Sequence, residues 1–120
     1  MAGLLTTHVL DTVHGCPAAN VQIQLWRLHP QTEQRTLLKT VRTTANGRTE
    51  APLLAGEELS VARYELIFAV GAYFIDRGVD LPEPAFLTDV PIRFGIADPQ
   101  AHYHVPLLVS PWAYSTYRGS

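Results

Sequence analysis

Two stretches in the last fifth of the sequence concentrate side chains that can do chemistry. His102 and His104 are separated by one residue, and Tyr117-Arg118-Gly119-Ser120 brings a phenol, a guanidinium and a hydroxyl together. Residues two apart on a β-strand point to the same face, so the two histidines are expected to share one. Because histidine titrates near neutral pH, this pair suits general acid–base catalysis.

Two further candidates lie earlier in the chain. His8 falls in a strand-like run and shares its face with Thr6, and Arg48 directly follows an Asn46-Gly47 turn. The residues alone also allow a plainer interpretation for each of them. A solvated surface histidine and a solvated turn arginine have the same sequence signature, and Arg118 could equally be a charge that protects the edge of a sheet.

Metal binding and nucleophilic catalysis are the competing chemistries. His102-Tyr103-His104 could supply two ligands on a strand, but no Cys-x-x-Cys, His-Glu-x-x-His or acidic cluster completes a metal site. Ser120 lacks the Gly-x-Ser-x-Gly context of a hydrolase nucleophile. Cys16 lies in a Gly-Cys-Pro turn with no base beside it, which indicates a structural residue. No metal and no cofactor are therefore expected.

The elements that must position these side chains are short strands. Apolar and polar residues alternate in several runs that are separated by turn residues, which is the pattern of half-buried strands. One segment, 71–76, instead predicts a short helix that ends near Gly78. The strands are predicted at 6–10, 21–25, 37–43, 64–70, 90–96, 102–109 and 112–118.

About eight strands and one helix in 120 residues predict an all-β fold, an antiparallel β-sandwich. A chain of this length forms one domain, so residues 1–120 are expected to fold as a unit. Pro106 interrupts the strand at 102–109, and because proline cannot donate to a ladder, irregular pairing is expected there. Tyr103, Val105 and Leu107 are predicted to face the core, opposite the histidines.

Composition and charge argue against several classes of protein. The formal net charge is −2 without a basic run, so nucleic-acid binding is not expected. No apolar run approaches the ~20 residues of a membrane span, and residues 1–8 lack the features of a signal peptide. Cys16 is the only cysteine, so no intrachain disulfide can form. These features are typical of a reduced, soluble, cytoplasmic protein.

Segments along nearly the whole sequence resemble the transthyretin-related 5-hydroxyisourate hydrolases. The closing Tyr-Arg-Gly-Ser is the signature that separates these enzymes from the hormone-carrying transthyretins. The matching segments, in order, are Leu5-Thr6-Thr7-His8-Val9-Leu10-Asp11-Thr12, Gly15-Cys16-Pro17-Ala18, Asn46-Gly47-Arg48, Val90-Pro91-Ile92-Arg93-Phe94, His102-Tyr103-His104-Val105-Pro106-Leu107-Leu108, and Ser110-Pro111-Trp112 followed by Tyr114-Ser115-Thr116-Tyr117-Arg118-Gly119-Ser120.

The resemblance implies a transthyretin-like sandwich of two four-stranded sheets with one short helix. It further implies a homotetramer, built as a dimer of dimers, in which edge strands pair across the first interface. The active sites would lie where two dimers meet. A polar strand face that is open in one subunit would then be covered in the assembly.

The resemblance also implies a reaction, the hydrolysis of 5-hydroxyisourate in urate breakdown by addition of water to a ring amide carbonyl. His8 and His104 correspond to the family's active-site histidines and Arg48 to its arginine. One histidine would act as the general base and the other would orient water or substrate, while Arg48 stabilises developing charge. The substrate-binding group would comprise Tyr117, Arg118, Gly119, Ser120 and His102.

Two other functions remain compatible with the same fold, because a fold does not specify a function. A transthyretin-like carrier would bind an apolar or aromatic ligand, and a structural or adhesive sandwich domain would bind no small molecule. Neither function has use for a cluster of histidine and arginine side chains, so the polar cluster favours the enzyme.

Overall fold

Alternating apolar residues fold the chain into two β-sheets that pack face to face. The computed structural model describes residues 2–119. The first sheet has the strand order β2-β1-β8-β9, with β5 also paired to β1, and the second has the order β4-β3-β6-β7. The strands are β1 (Leu4–Asp11), β2 (Cys16–Pro17), β3 (Gln22–Leu28), β4 (Arg35–Arg42), β5 (Leu54–Ala55), β6 (Ala62–Phe68), β7 (Val90–Ile96), β8 (His102–Val109) and β9 (Tyr114–Thr116).

This architecture confirms the predicted β-sandwich of two sheets, with a difference of detail in the first sheet. One edge of β1 is shared by two segments of two residues each, because β5 pairs with its beginning and β2 with its end. The first sheet therefore has five members in four strand positions.

The pairing of β1 with β8 departs from the predicted antiparallel arrangement. The two strands run parallel over eight residue pairs, from Leu4 opposite His102 to Asp11 opposite Val109. Alternation along a strand records which face each residue occupies, but it does not record strand direction. This parallel register puts Thr6 opposite His104.

The core lies between the sheets and is built from the predicted alternating positions. Thr7 and Val9 of β1, and Tyr103, Val105 and Leu107 of β8, all face inward and are buried. Their neighbours in sequence therefore face outward on the first sheet. The buried apolar residues of the second sheet include Ile23, Leu25, Tyr64, Leu66, Phe68, Val90 and Ile96.

Pro106 breaks the pairing of β8 with its outer neighbour, as predicted. The β8–β9 ladder stops at Leu107 opposite Thr116, and pairing resumes only at a single bridge between His104 and Gly119. Between these two points the Pro106 carbonyl accepts a hydrogen bond from the Thr116 hydroxyl at 2.7 Å. Since proline has no backbone N–H, a side chain satisfies this part of the edge.

The predicted helix forms as α1 (Val70–Asp76) and is held against the end of β1 by a buried carboxylate. Asp11 accepts hydrogen bonds from the Tyr73 hydroxyl at 2.7 Å and from His14 Nδ1 at 2.6 Å. The backbone N–H groups of Val13 and His14 also donate to it. Burial opposes ionisation, but these hydrogen bonds outweigh it and hold the pKa of Asp11 below its ordinary value.

The helix has a residue in the left-handed conformation just past its end, where Gly78 has φ +82°. Glycine adopts this conformation without a steric penalty, which explains why the helix stops there. Among residues 2–119, no helix combines the length and the apolar character that crossing a membrane requires.

Candidate active site

The outward face of the β1–β8 pair carries a cluster of polar side chains. His8 and Thr6 come from β1, and His102 and His104 come from β8. His104, His8 and Thr6 are partly buried, whereas His102 is exposed. The period-two alternation predicted that His102 and His104 share a face, and the structure confirms this.

The Thr6 hydroxyl joins the two histidines of β8. Its oxygen lies 2.8 Å from His104 Nδ1 and 3.0 Å from His102 Nε2. A hydroxyl has one proton to donate, so it donates to one imidazole and accepts from the other. The tautomers of His102 and His104 are therefore coupled while both hydrogen bonds exist: one ring nitrogen must carry a proton and the other must not.

A loop carrying the Asn46-Gly47 turn holds His8. The Asn46 carbonyl oxygen lies 2.9 Å from His8 Nε2. Because a carbonyl oxygen only accepts, Nε2 carries the proton, and in neutral His8 the lone pair is on Nδ1. The turn itself is tied to β1 by a hydrogen bond of 2.9 Å from Val9 N–H to the Gly47 carbonyl.

Glycine is required at position 47 for two physical reasons. Its φ is +79°, and a β-carbon there would lie 2.5 Å from the Val9 carbonyl oxygen and 3.1 Å from His8 Cδ2. The turn does not open a β-hairpin, because the next strand, β5, pairs with β1 rather than with β4. The loop instead brings Arg48 to the histidine face.

Arg48 is exposed and lies close enough to influence His104. Burial of the imidazole, followed by the positive charge of Arg48 and smaller contributions from His102 and His8, lowers the pKa of His104 below its usual 6.5. His104 is therefore neutral at pH 7 and can accept a proton. A neutral base beside an exposed guanidinium is an arrangement suited to hydrolysis of a polarised carbonyl.

Gly119 closes one side of the site by packing on His104. Its N–H donates to the His104 carbonyl at 2.8 Å, and a β-carbon at position 119 would lie 2.6 Å from His104 Cδ2. The backbone at 119 thus approaches the imidazole as closely as glycine allows. Ser120, the last residue of the predicted substrate-binding group, lies outside the described residues.

The other two side chains of the terminal segment point to a different surface. The Arg118 guanidinium carbon lies 4.1 Å above the Tyr103 ring, and one of its nitrogens donates to the His102 carbonyl at 3.2 Å. Tyr117 is exposed and lines a cleft between the edges of the two sheets. Within one chain, these side chains border the sheet edge while the histidines occupy the sheet face.

The remaining histidines have ordinary surroundings. His14 is bonded to Asp11, and His29 lies in the loop between β3 and β4. Within residues 2–119, no group of three or more His, Cys, Asp or Glu side chains is arranged to hold a metal ion. Sequence reasoning did not identify Thr6 as part of the site, although its shared face with His8 was the available signal.

Comparisons with known proteins agree with this architecture. The model of the HIUase/Transthyretin family matches residues 5–119. A 5-hydroxyisourate hydrolase from Ralstonia nicotianae is 59% identical over 118 residues, which cover 98% of this chain and 99% of that protein.

Two solved structures share the fold. One is described as an (S)-allantoin synthase, with a TM-score of 0.93 and 50% identity; the match covers 99% of this chain but only 44% of that longer chain. The other is sea bream transthyretin in complex with thyroxine, with a TM-score of 0.83 and 26% identity over 96% of this chain and 93% of that one.

Proposed function

The chain belongs to the HIUase/Transthyretin family, and we propose that it hydrolyses 5-hydroxyisourate on the face formed by His8, Arg48 and His104. The observation that carries this proposal is geometric: His8 and His104 lie on one outward face, and the Asn46-Gly47 turn that is hydrogen-bonded to His8 leads directly to the exposed Arg48. The relative from Ralstonia nicotianae, which is named for this activity, matches over nearly the full length of both chains.

The reaction is a step of urate degradation. It adds water to a ring amide carbonyl and breaks the C–N bond of that amide. The product, 2-oxo-4-hydroxy-4-carboxy-5-ureidoimidazoline, carries the new carboxyl group and the released nitrogen. A base must take a proton from the attacking water, and an acid must deliver one to the leaving nitrogen. No redox change occurs, so the proposed mechanism uses no cofactor.

His104 is the general base of this mechanism, because its lowered pKa keeps the imidazole unprotonated at pH 7. The Nε2–H of His8 is committed to the Asn46 carbonyl, so its Nδ1 lone pair accepts a hydrogen bond from water or substrate. His8 thereby orients the reactants. The two imidazoles divide the roles of base and orienting group.

Arg48 binds the substrate carbonyl oxygen and stabilises the oxyanion as it develops. Among residues 2–119, no carboxylate forms an ion pair with the Arg48 side chain. Its guanidinium is therefore available to a planar, anionic heterocycle, which the fork of N–H donors suits. Removal of a comparable donor costs about 10²–10³ in rate in other hydrolases.

The terminal segment and His102 complete the substrate-binding group in this proposal. His102 shapes the site through its hydrogen bond to Thr6, and Gly119 lets the chain pass directly beside His104. Within one chain Tyr117 and Arg118 border the sheet edge, so we propose that they contact the substrate in the assembled protein, and Ser120 remains in the group as a prediction from the sequence.

The assembly we propose is a homotetramer made from two dimers. Strands β7 and β9 are the last members of their sheets, and a cleft of about 380 Å³ with apolar walls lies between their edges. Pairing of these edges with those of a second subunit would cover both open edges. The walls of the cleft include Ile92, Phe94, Tyr103 and Val105.

The second interface would cover the histidine face. Val13 and Trp112 are 51% and 59% exposed, and they lie in the turns that follow β1 and β8 at the end of that face. Two such faces would place apolar turns beside the polar cluster and partly cover it. Residues 1–120 act as a single domain in this arrangement.

A cytoplasmic location completes the proposal. The chain has one cysteine, so an intrachain disulfide cannot contribute to its stability and no oxidising compartment is needed. Fractionation of cells that produce the protein, followed by detection with an antibody, tests this location.

The alternative function is a small-molecule carrier, favoured by the similarity to a transthyretin that has thyroxine bound. An ultraviolet assay separates the two functions. Urate oxidase generates 5-hydroxyisourate in the cuvette, and its decay is followed with and without the protein. Accelerated decay supports the hydrolase, whereas decay at the spontaneous rate from a folded protein would contradict it and favour the carrier.

A further inference from the structure

The Thr6 hydroxyl is hydrogen-bonded to two histidines, the partly buried His104 and the exposed His102. Among the described residues of the site, it is the only group that bridges them. It lies 2.8 Å from His104 Nδ1 and 3.0 Å from His102 Nε2. The parallel register of β1 and β8 sets both contacts, because Thr6 lies opposite His104 and two residues beyond the partner of His102. The three polar groups therefore form a continuous hydrogen-bonded chain from the partly buried His104 to His102, which is the more exposed of the two within one chain.

We infer that Thr6 is a positioning residue that passes a proton between His104 and His102 during turnover. In the resting arrangement, His104 Nδ1–H donates to the Thr6 oxygen and the Thr6 hydroxyl donates to His102 Nε2. This leaves the lone pair of His104 on Nε2, which acts as the base. The inference rests on the proposed hydrolysis and deepens it.

The protons balance over the two chemical steps. When Nε2 of His104 takes a proton from the attacking water, the Nδ1 proton moves to the Thr6 oxygen and the Thr6 proton moves to His102 Nε2. When Nε2–H then protonates the leaving nitrogen, the same two transfers run in reverse. His104 stays neutral throughout, and the positive charge resides on His102 between the two steps.

The surroundings of the two rings explain why this transfer is favourable. His104 is partly buried, with the Arg48 charge and the rings of His8 and His102 near it, whereas His102 is exposed. A positive charge costs less free energy on a solvated imidazole than beside a guanidinium in a partly buried site. The Thr6 hydroxyl lets the charge occupy the less costly position.

The chain offers a matched control in the next residue of the same strand. Thr7 lies on the opposite face, and its hydroxyl donates to the Val105 carbonyl at 2.7 Å, also across the β1–β8 pairing. Thr7→Val therefore removes a threonine hydroxyl between the same two strands without touching a histidine. Thr6→Val removes the relay, and Thr6→Ser retains it.

The test measures kcat for 5-hydroxyisourate in mixtures of H₂O and D₂O. We expect Thr6→Val to lose about tenfold or more in kcat. Without the hydroxyl, the Nδ1 proton of His104 cannot pass to His102, so the positive charge stays on His104 when it takes a proton from water. Thr6→Ser and Thr7→Val should stay close to wild type. Wild type should show a bowed dependence on the deuterium fraction, since several protons move together, and Thr6→Val a linear one.

A double variant and a spectroscopic measurement complete the test. His102→Gln should lower kcat as much as Thr6→Val does. The double variant should lose no more in kcat than either single variant, because both substitutions break the same hydrogen-bonded relay. ¹⁵N NMR should show the proton of neutral His104 on Nδ1 in wild type.

The outcomes are distinguishable. A wild-type protein that does not accelerate hydrolysis overturns the proposed function itself. An active wild type whose Thr6→Val variant keeps its rate, or keeps a bowed isotope dependence, overturns the relay alone. The relay is likewise wrong if Thr6→Val and His102→Gln add independently, or if NMR places the His104 proton on Nε2.

Discussion

The α-carbon of Gly119 packs directly against the imidazole of His104. A β-carbon at position 119 would lie 2.6 Å from His104 Cδ2 and 3.3 Å from both Cβ and Cγ, so every larger residue must displace the ring or the backbone. The Gly119 N–H donates to the His104 carbonyl at the same point, which limits how far the backbone can retreat. The position of the imidazole is therefore set partly by the absence of a side chain at position 119.

Gly119→Ala should lower kcat by about tenfold or more, because a displaced imidazole loses much of its value as a general base. The decay of 5-hydroxyisourate measures the rate, and thermal melting measures the cost of the clash. In a His104→Ala background the same substitution should no longer lower the melting temperature, since the ring is gone. If Gly119→Ala lowers the melting temperature equally in wild type and in the His104→Ala variant, the clash with His104 is not the cause.

His104→Asn should lower kcat by roughly 10² or more with a small change in melting temperature, because the base is lost while the strand remains. His29→Asn is the matched control, since His29 lies in an exposed loop of the second sheet and should keep the wild-type rate. An unfolded His104→Asn protein would mean that this residue is structural. Equal rates for the two variants would remove His104 from the mechanism.

The pH dependence of kcat/KM should report the ionisation of His104. Burial and the Arg48 charge lower the pKa of His104 below 6.5, so activity should persist at pH 6.5 and fall only as the pH drops through that lowered value. Arg48→Gln removes one cause and should raise the pKa of His104, as measured by NMR titration of its ring protons. Arg63→Gln, on the second sheet, should leave the titration unchanged; an unchanged titration in Arg48→Gln would contradict the proposed proximity.

Asp11→Asn should destabilise the fold by about 2–3 kcal/mol at pH 7, because hydrogen bonds from Tyr73 and His14 to a buried carboxylate are lost or weakened. The pKa of Asp11 in the folded protein lies below 3.8. Its contribution to stability is therefore present above pH 3.8 and is lost as the pH falls through the folded-state pKa.

Urea unfolding of wild type and Asp11→Asn at several pH values measures this difference. The two proteins should converge as the pH falls through the lowered pKa of folded Asp11, because below that value the wild-type carboxyl is protonated in both states. Asp76→Asn, at an exposed residue at the end of α1, should stay within about 0.5 kcal/mol of wild type at every pH. If the difference in free energy of unfolding between wild type and Asp11→Asn does not depend on pH, the charge of Asp11 does not contribute to stability.

Trp112→Glu should divide the proposed tetramer into dimers and lower kcat, because it places a charge in the interface that covers the site. Ile75→Glu is a control of equal exposure, since both side chains are 59% exposed but Ile75 lies on α1, away from the histidine face. Sedimentation velocity gives the mass of each variant. A Trp112→Glu protein with the mass and rate of wild type would place the second interface elsewhere.

Alternation in the sequence was sufficient to predict much of this fold. The bounds of β7 and β8 agree with the predicted strands at 90–96 and 102–109, and α1 begins one residue before the predicted helix. The faces of β8 and the gap at Pro106 followed from period two and from the missing proline donor. These features depend on local chemistry, which is why a single sequence contains them.

The sequence by itself therefore determined which residues are buried and which face outward, and its motifs supplied His8, Arg48 and His104 as candidates. Only the tertiary structure decided what those side chains touch. Three of its features join segments that are distant in sequence or belong to different strands. They are the parallel direction of β1 and β8, the contact of Thr6 with two histidines, and the stacking of Arg118 on Tyr103. Periodicity specifies the face of a strand, but the neighbour of that strand and its register are set by packing of the whole sandwich.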